Sequence, residues 1–86
     1  MSPYIQESDR PKYRNVLKQL PNIECKGDLE YCVYYLCVKF MSTRKVKYSE
    51  LHEAVYGAIH AGEEYKRRHL DKREDVAKET NGDIEI

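Results

Sequence analysis

Tyrosine and arginine carry most of the chemistry this sequence could perform. Eight of its nine aromatic residues are Tyr. A phenol ring stacks on a flat ligand while its hydroxyl hydrogen-bonds, and Arg offers a planar fork to phosphate. That pairing suits a nucleotide. The same residues also read without a ligand: Tyr31, Tyr34 and Tyr35 could pack an interface, and Lys66, Arg67, Arg68 and His69 could form a solvated helix face.

Other chemistries fail on spacing. His52, Glu53, Ala54, Val55 and Tyr56 begin like a zinc protease helix, but the fifth position must be His to put two imidazoles on one face. His60 lies two turns from His52, about 12 Å along a helix axis and too far to share one metal with it. Cys32 and Cys37 are five apart and diverge on a helix, with no neighbouring base to activate either, so both read as small hydrophobes. The four Gly residues, at 27, 57, 62 and 82, are isolated and build no phosphate loop. Glu63 with Arg67 and Glu64 with Arg68 have the spacing of ordinary surface pairs. No catalytic set, metal site or cofactor is expected, and the chain reads as a non-enzyme.

The elements that must position these residues are helical. Eighty-six residues, 41% hydrophobic and 35% charged, allow one domain of about three helices. The expected class is all-α, a three-helix domain spanning 1–86 with an extended N-terminal arm and a C-terminal tail. Residues 1–8 read as the arm. Helix 1 is expected over 9–20, capped by Ser8 or Asp9, with Pro11 in its first turn and Pro21 beyond its end. Tyr13, Val16, Leu17 and Leu20 share its face.

Helix 2 is expected over 28–41, with Asp28 as N-cap and Leu29, Cys32, Val33, Leu36 and Phe40 as a helical stripe. Its other side, with Tyr31, Tyr34, Tyr35 and Val38, is also apolar in body, too wide for one neighbouring helix to cover. Helix 3 is expected over 49–70 from a Ser49 cap, with small residues Gly57, Ala58, Ala61 and Gly62 where another backbone could approach. The charged stretch 71–86 reads as a tail, a solvated rod or a frayed end. Thr80, Asn81 and Gly82 would close any helix there, leaving Ile84 and Ile86 to pack on a neighbour.

So small a core leaves apolar surface to spare, which points to a homo-oligomer. Formal charge is zero, which argues against a protein that coats nucleic acid through Arg44, Lys45 and Lys47. Yet residues 1–47 hold nine Lys/Arg against five Asp/Glu, and residues 48–86 hold six against ten. Opposite-signed halves can attract within or between chains. Three Cys without a Cys-x-x-Cys pair, no N-terminal apolar segment and no apolar run beyond about ten residues lead us to expect a cytoplasmic protein that crosses no membrane.

Several short motifs occur in order: Pro3, Tyr4 and Ile5 with Arg10; Gly27, Asp28 and Leu29 with Tyr31; Gly57 and Ala58; Tyr65 with Arg67 and Arg68; then Asn81, Gly82 and Asp83. In this the chain resembles a family of small, all-helical phage and bacterial proteins of unknown function, along nearly its whole length. It departs from that pattern in the inserted Ser2, in Glu30 where the family has Asn, in Lys72, Arg73, Glu74 and Asp75 where the family has Tyr-Glu-Asp, and in a shorter segment before Gly27. It is also similar to the tetrameric phage sponges that sequester cyclic dinucleotides and block cyclic-oligonucleotide (CBASS) antiphage immunity. The resemblance implies a binding protein without turnover in the cytoplasm of the host bacterium, holding a signal such as 3′3′-cGAMP between the protomers of a homotetramer or other homo-oligomer. Under it, Tyr4 would stack a base, Arg10, Lys26 and Arg68 would hold phosphate, Tyr65 would add a second ring, and Asn81 or Asp83 would read a base edge. Without a ligand, Asn81 and Gly82 are a turn, Asp83 a local cap, and Arg10 and Arg68 partners for acidic neighbours. The alternative is a structural or interaction oligomer with no small ligand.

Overall fold

The computed structural model describes residues 3–84. All regular structure among them is helical. Three rods follow a short 3₁₀ turn at Glu7–Asp9. They are α1, Pro11–Lys18; α2, Lys26–Met41; and a long third rod made of α3, Tyr48–Tyr65, a π-helical turn, Lys66–Leu70, and α4, Asp71–Asn81. Several helix ends differ from the expected boundaries, and each shift has a local cause. Met1, Ser2, Glu85 and Ile86 lie outside the described residues, and with them the expected packing of Ile86.

Helix 1 starts at Pro11, as the proline's missing N–H favours. Neither Ser8 nor Asp9 caps it, because the 3₁₀ turn delivers Arg10 already in the helical region. The Arg10 carbonyl takes the Tyr13 and Arg14 amides at 3.1 and 2.8 Å. The helix ends at Lys18, two residues short of the expected 20, and Leu20 closes on the Leu17 carbonyl at 3.2 Å ahead of Pro21.

Helix 2 begins two residues before the expected Asp28. Cys25 is the extended N-cap, and its Sγ accepts the Asp28 amide at 3.4 Å, so Asp28 sits inside the first turn. There its carboxylate faces the positive end of the helix dipole. Helix 3 starts from Lys47 with no side-chain cap, so Ser49 is inside the helix. Glu50 lies in the first turn and meets Arg44 at 3.3 Å, while the Arg44 guanidinium lies 3.6 Å from the centre of the Phe40 ring. Arg44 therefore staples the loop between α2 and α3.

That short loop makes α2 and α3 antiparallel. Cys37 meets the Ala54 carbonyl, 3.7 Å from Sγ. Cys32, Val33, Cys37, Phe40 and Met41 on α2, with Ala54 and Ala58 on α3, are half-buried. Of the small residues expected at a helix crossing, Ala58 is half-buried there, joined by Ala54, while Ala61 is exposed. Gly57 and Gly62 do not serve the crossing, since a Cβ on either would meet nothing within 4 Å.

The third rod does not stop at residue 70. Backbone angles stay right-handed helical through Lys66, Leu70 and Asp71, and the Asp71 amide bonds back five residues to Lys66, the mark of a π turn. Lys66 Nζ and the Asp71 carboxylate, 2.7 Å apart, bridge the same turn, and the Lys66 ammonium is raised above its usual range, first by the Asp71 hydrogen bond. The helix ends at Asn81, where Gly82 takes φ +88°, a conformation open to Gly.

No described residue is fully buried. The chain exposes 8303 Å², against about 5,300 Å² for a compact protein of its mass. Its radius of gyration is 16.7 Å, where a compact chain of this length has about 12 Å. Tyr31 and Tyr34, on the outer side of α2, are 73% and 74% exposed. No described helix is long and apolar enough to cross a membrane.

Candidate functional site

The N-terminal segment meets the third rod. Tyr4 donates its hydroxyl proton to Glu64 Oε2, and Arg68 donates to the Tyr4 oxygen at 3.1 Å. Glu64 also takes a two-pronged contact from Arg67, 2.7 and 2.8 Å. The Arg67 hydrogen bond first, then that of Tyr4, pull the Glu64 carboxyl down to about 2. Glu64 in turn raises Arg67 above its usual range. Arg10 reinforces the junction from the other side, its Nε donating to the Ile5 carbonyl at 2.9 Å.

Beside this junction an open hollow of about 580 Å³ is lined by Tyr65, Arg68, His69, Lys72, Arg73 and Val76, with Leu70. The Tyr65 and His69 rings lie 4.4 Å apart. Among the described residues no ion pair engages Arg68, Lys72 or Arg73, and all three cations line this hollow. Chemically, the arrangement can stack a flat ring and hold an anion.

Of the seven residues singled out for a ligand, the structure gathers Tyr4, Tyr65 and Arg68. Arg10 clasps the N-terminal segment through the Ile5 carbonyl. Lys26 pairs with Glu30 at 3.1 Å, at the start of α2. Asn81 and Asp83 stand apart: Asn81 is thirteen helical residues beyond Arg68, about 20 Å along the rod. Asp83 receives the Ile84 amide at 2.8 Å, a local turn cap. Lys72 and Arg73 were passed over because a segment without apolar period gave no reason to place them on a helix with Tyr65. Their i+4 relation to Arg68 and His69 was the available signal. The surface pairs also differ from expectation, since Glu64 takes Arg67 at i+3.

A second feature went unremarked in the sequence. Tyr48, His52, Tyr56 and His60 recur every four residues and form a ladder along α3, with ring centres 5.9, 4.3 and 5.9 Å apart. No group of His, Cys, Asp and Glu that could hold a metal occurs among the described residues. Cys25, Cys32 and Cys37 are free thiols.

Fold and hollow define a small all-helical protein with an aromatic and cationic surface site. Over residues 1–84 the sequence matches the family described as Domain of unknown function (DUF6899), and the chain belongs to that family. No curated protein and no solved structure matches it.

Proposed function

We propose that the protein is a non-catalytic binding protein, a homo-oligomeric sponge that sequesters a cyclic dinucleotide such as 3′3′-cGAMP and so serves phage evasion of CBASS immunity in the host cytoplasm. The observation that supports this reading is the hollow itself, where Arg68, Lys72 and Arg73 lie beside the Tyr65 and His69 rings. A cyclic dinucleotide offers two base faces for such rings and two phosphates for such cations. A symmetric oligomer, for instance a tetramer, would present the hollow in matching copies to a ligand that is itself nearly two-fold.

Isothermal titration against a panel of cyclic di- and trinucleotides tests it. Stoichiometric binding, with the ligand recovered intact after the protein is denatured, is the expected result. Conversion of the ligand, or silence across the panel, overturns it.

A second reading is a helical interaction oligomer of phage or bacterial origin without a small ligand. It draws on the exposed outer side of α2, where Tyr31, Tyr34, Tyr35 and Val38 have no neighbour to cover them. Self-association with an unresponsive nucleotide panel would select it.

A further inference from the structure

Two apolar surfaces of this chain lack a partner, and they carry opposite charge. The first is α1. Tyr13, Val16, Leu17 and Leu20 mark one face along it and its C-terminal end, yet Val16 is 62% exposed, and no Cα of α1 lies within 8 Å of one in α2, α3 or α4. Lys12, Arg14 and Lys18 flank that face, and α1 holds no acidic residue.

The second is the groove between α2 and α3, about 750 Å³, floored by Leu29, Val33, Leu36, Phe40, Ala58 and Ala61. Glu53 lines the groove and Glu50 lies one turn before it, the latter also paired with Arg44 at 3.3 Å; α3 has four Glu with no Lys or Arg. Gly57 and Gly62 also border the groove. Nothing within the chain requires them to be small, although each lowers helix propensity. A helix laid into the groove would require it.

We infer that the groove of each chain receives α1 of a second copy, reciprocally, so that each protomer completes the other's core. This rests on the reading of the protein as a homo-oligomer and names the surfaces that join. The basic flank of α1 would meet the acidic edge of α3, and its apolar face would meet the groove floor. The area suffices: each chain exposes roughly 3,000 Å² more than a compact chain of its mass, so a pair has about 6,000 Å² to draw on, against about 2,000–5,000 Å² buried over both partners of an obligate interface. A chain's own α1 does not lie in its groove; the segment before it is tied instead to Glu64 and Arg68 through Tyr4, and Arg10 ties α1 to Ile5.

Charge exchange between copies tests the inference. One variant carries Lys12→Glu, Arg14→Glu and Lys18→Glu; the other carries Glu50→Lys and Glu53→Lys; a third chain combines all five changes. Light scattering at micromolar concentration reads the mass of each, of the parent and of the equimolar mixture of the first two, with circular dichroism reporting helix. The first two variants alone should associate at least tenfold more weakly than the parent. Their mixture should re-form an oligomer holding both, and the five-fold chain should recover self-association even if either parent variant fails to fold alone. A mixture that stays apart, or variants that associate as the parent does, overturns the placement of α1 while leaving the homo-oligomer standing. A monomeric parent overturns both, and with them the homo-oligomeric part of the proposed function, while ligand binding itself is read separately by the nucleotide titration.

Discussion

Tyr4 and Glu64 share a hydrogen bond across sixty positions of sequence. The same phenol oxygen accepts from Arg68, so one hydroxyl is both donor and acceptor between an anion and a cation. Tyr satisfies this arrangement because its oxygen can do both at once, and the ring behind it stays half-exposed. The contact fixes the N-terminal segment on the third rod just where the cationic hollow begins.

Replacing Tyr4 by Phe keeps the ring and removes the link. Amide exchange over residues 3–10 should then quicken by about three- to tenfold, the scale of one modest hydrogen bond, while the helical signal is unchanged. An exchange pattern identical to the parent's would mean that the link holds nothing.

The link should also fail in acid. Glu64 has its carboxyl lowered from 4.5 to about 2, so its contribution is full above the unfolded value of 4.5 and is lost as pH falls through about 2. Tyr4 ring resonances followed by NMR should therefore keep their bound positions at pH 5 and move to free positions only as pH falls through about 2. Because the pair is exposed, added salt should shift the transition upward.

Cys25 is a weak cap, since a thiol sulfur is a poor acceptor. Cys25→Ser should strengthen the start of α2, and Cys25→Ala should weaken it, by up to about 1 kcal/mol in either direction. Urea denaturation followed by circular dichroism measures both. A serine variant no more stable than the alanine variant would show that the 3.4 Å contact is not a cap.

Substitutions at the hollow should separate the cations that face a ligand from the polar residues that do not. Arg68→Ala or Arg73→Ala should weaken cyclic dinucleotide binding by about tenfold or more, the size of a lost charge-assisted hydrogen bond. Asn81→Ala and Asp83→Ala should leave the affinity within about twofold, given the roughly 20 Å of helix between Arg68 and Asn81. Titration calorimetry on the four variants reads the difference, and equal losses at both places would refute the hollow as the site.

The apolar spacing made the interiors of the helices legible. Leu29, Val33, Leu36 and Phe40 repeat on one side of α2, and that side meets α3. Ends were harder. Gly27 has low helix propensity and Asp28 is a good cap, so the start of α2 looked later than it is; the sulfur of Cys25 decided otherwise. The stretch from Asp71 to Asn81 has almost no apolar residue, so periodicity was silent about a helix that local propensity and the Lys66 to Asp71 bridge sustain. At the site, Tyr4, Tyr65 and Arg68 stand out as motifs near the two chain ends, but that Tyr4 meets Arg68 is a long-range fact no local pattern contains. The placement of Asn81 away from them follows from the solvated rod, one of the readings that the charged stretch left open.

The π turn at Lys66–Leu70 admits one surplus residue without breaking the rod. Such a turn works as slack. A lineage that gained or lost a single residue there could keep α3 seated against α2 and α4 aligned with it, while exchanging which side chains bulge at the bend. The part of the molecule that pairs with α2 and the part that carries the cations of the hollow can therefore evolve at different speeds on one continuous helix.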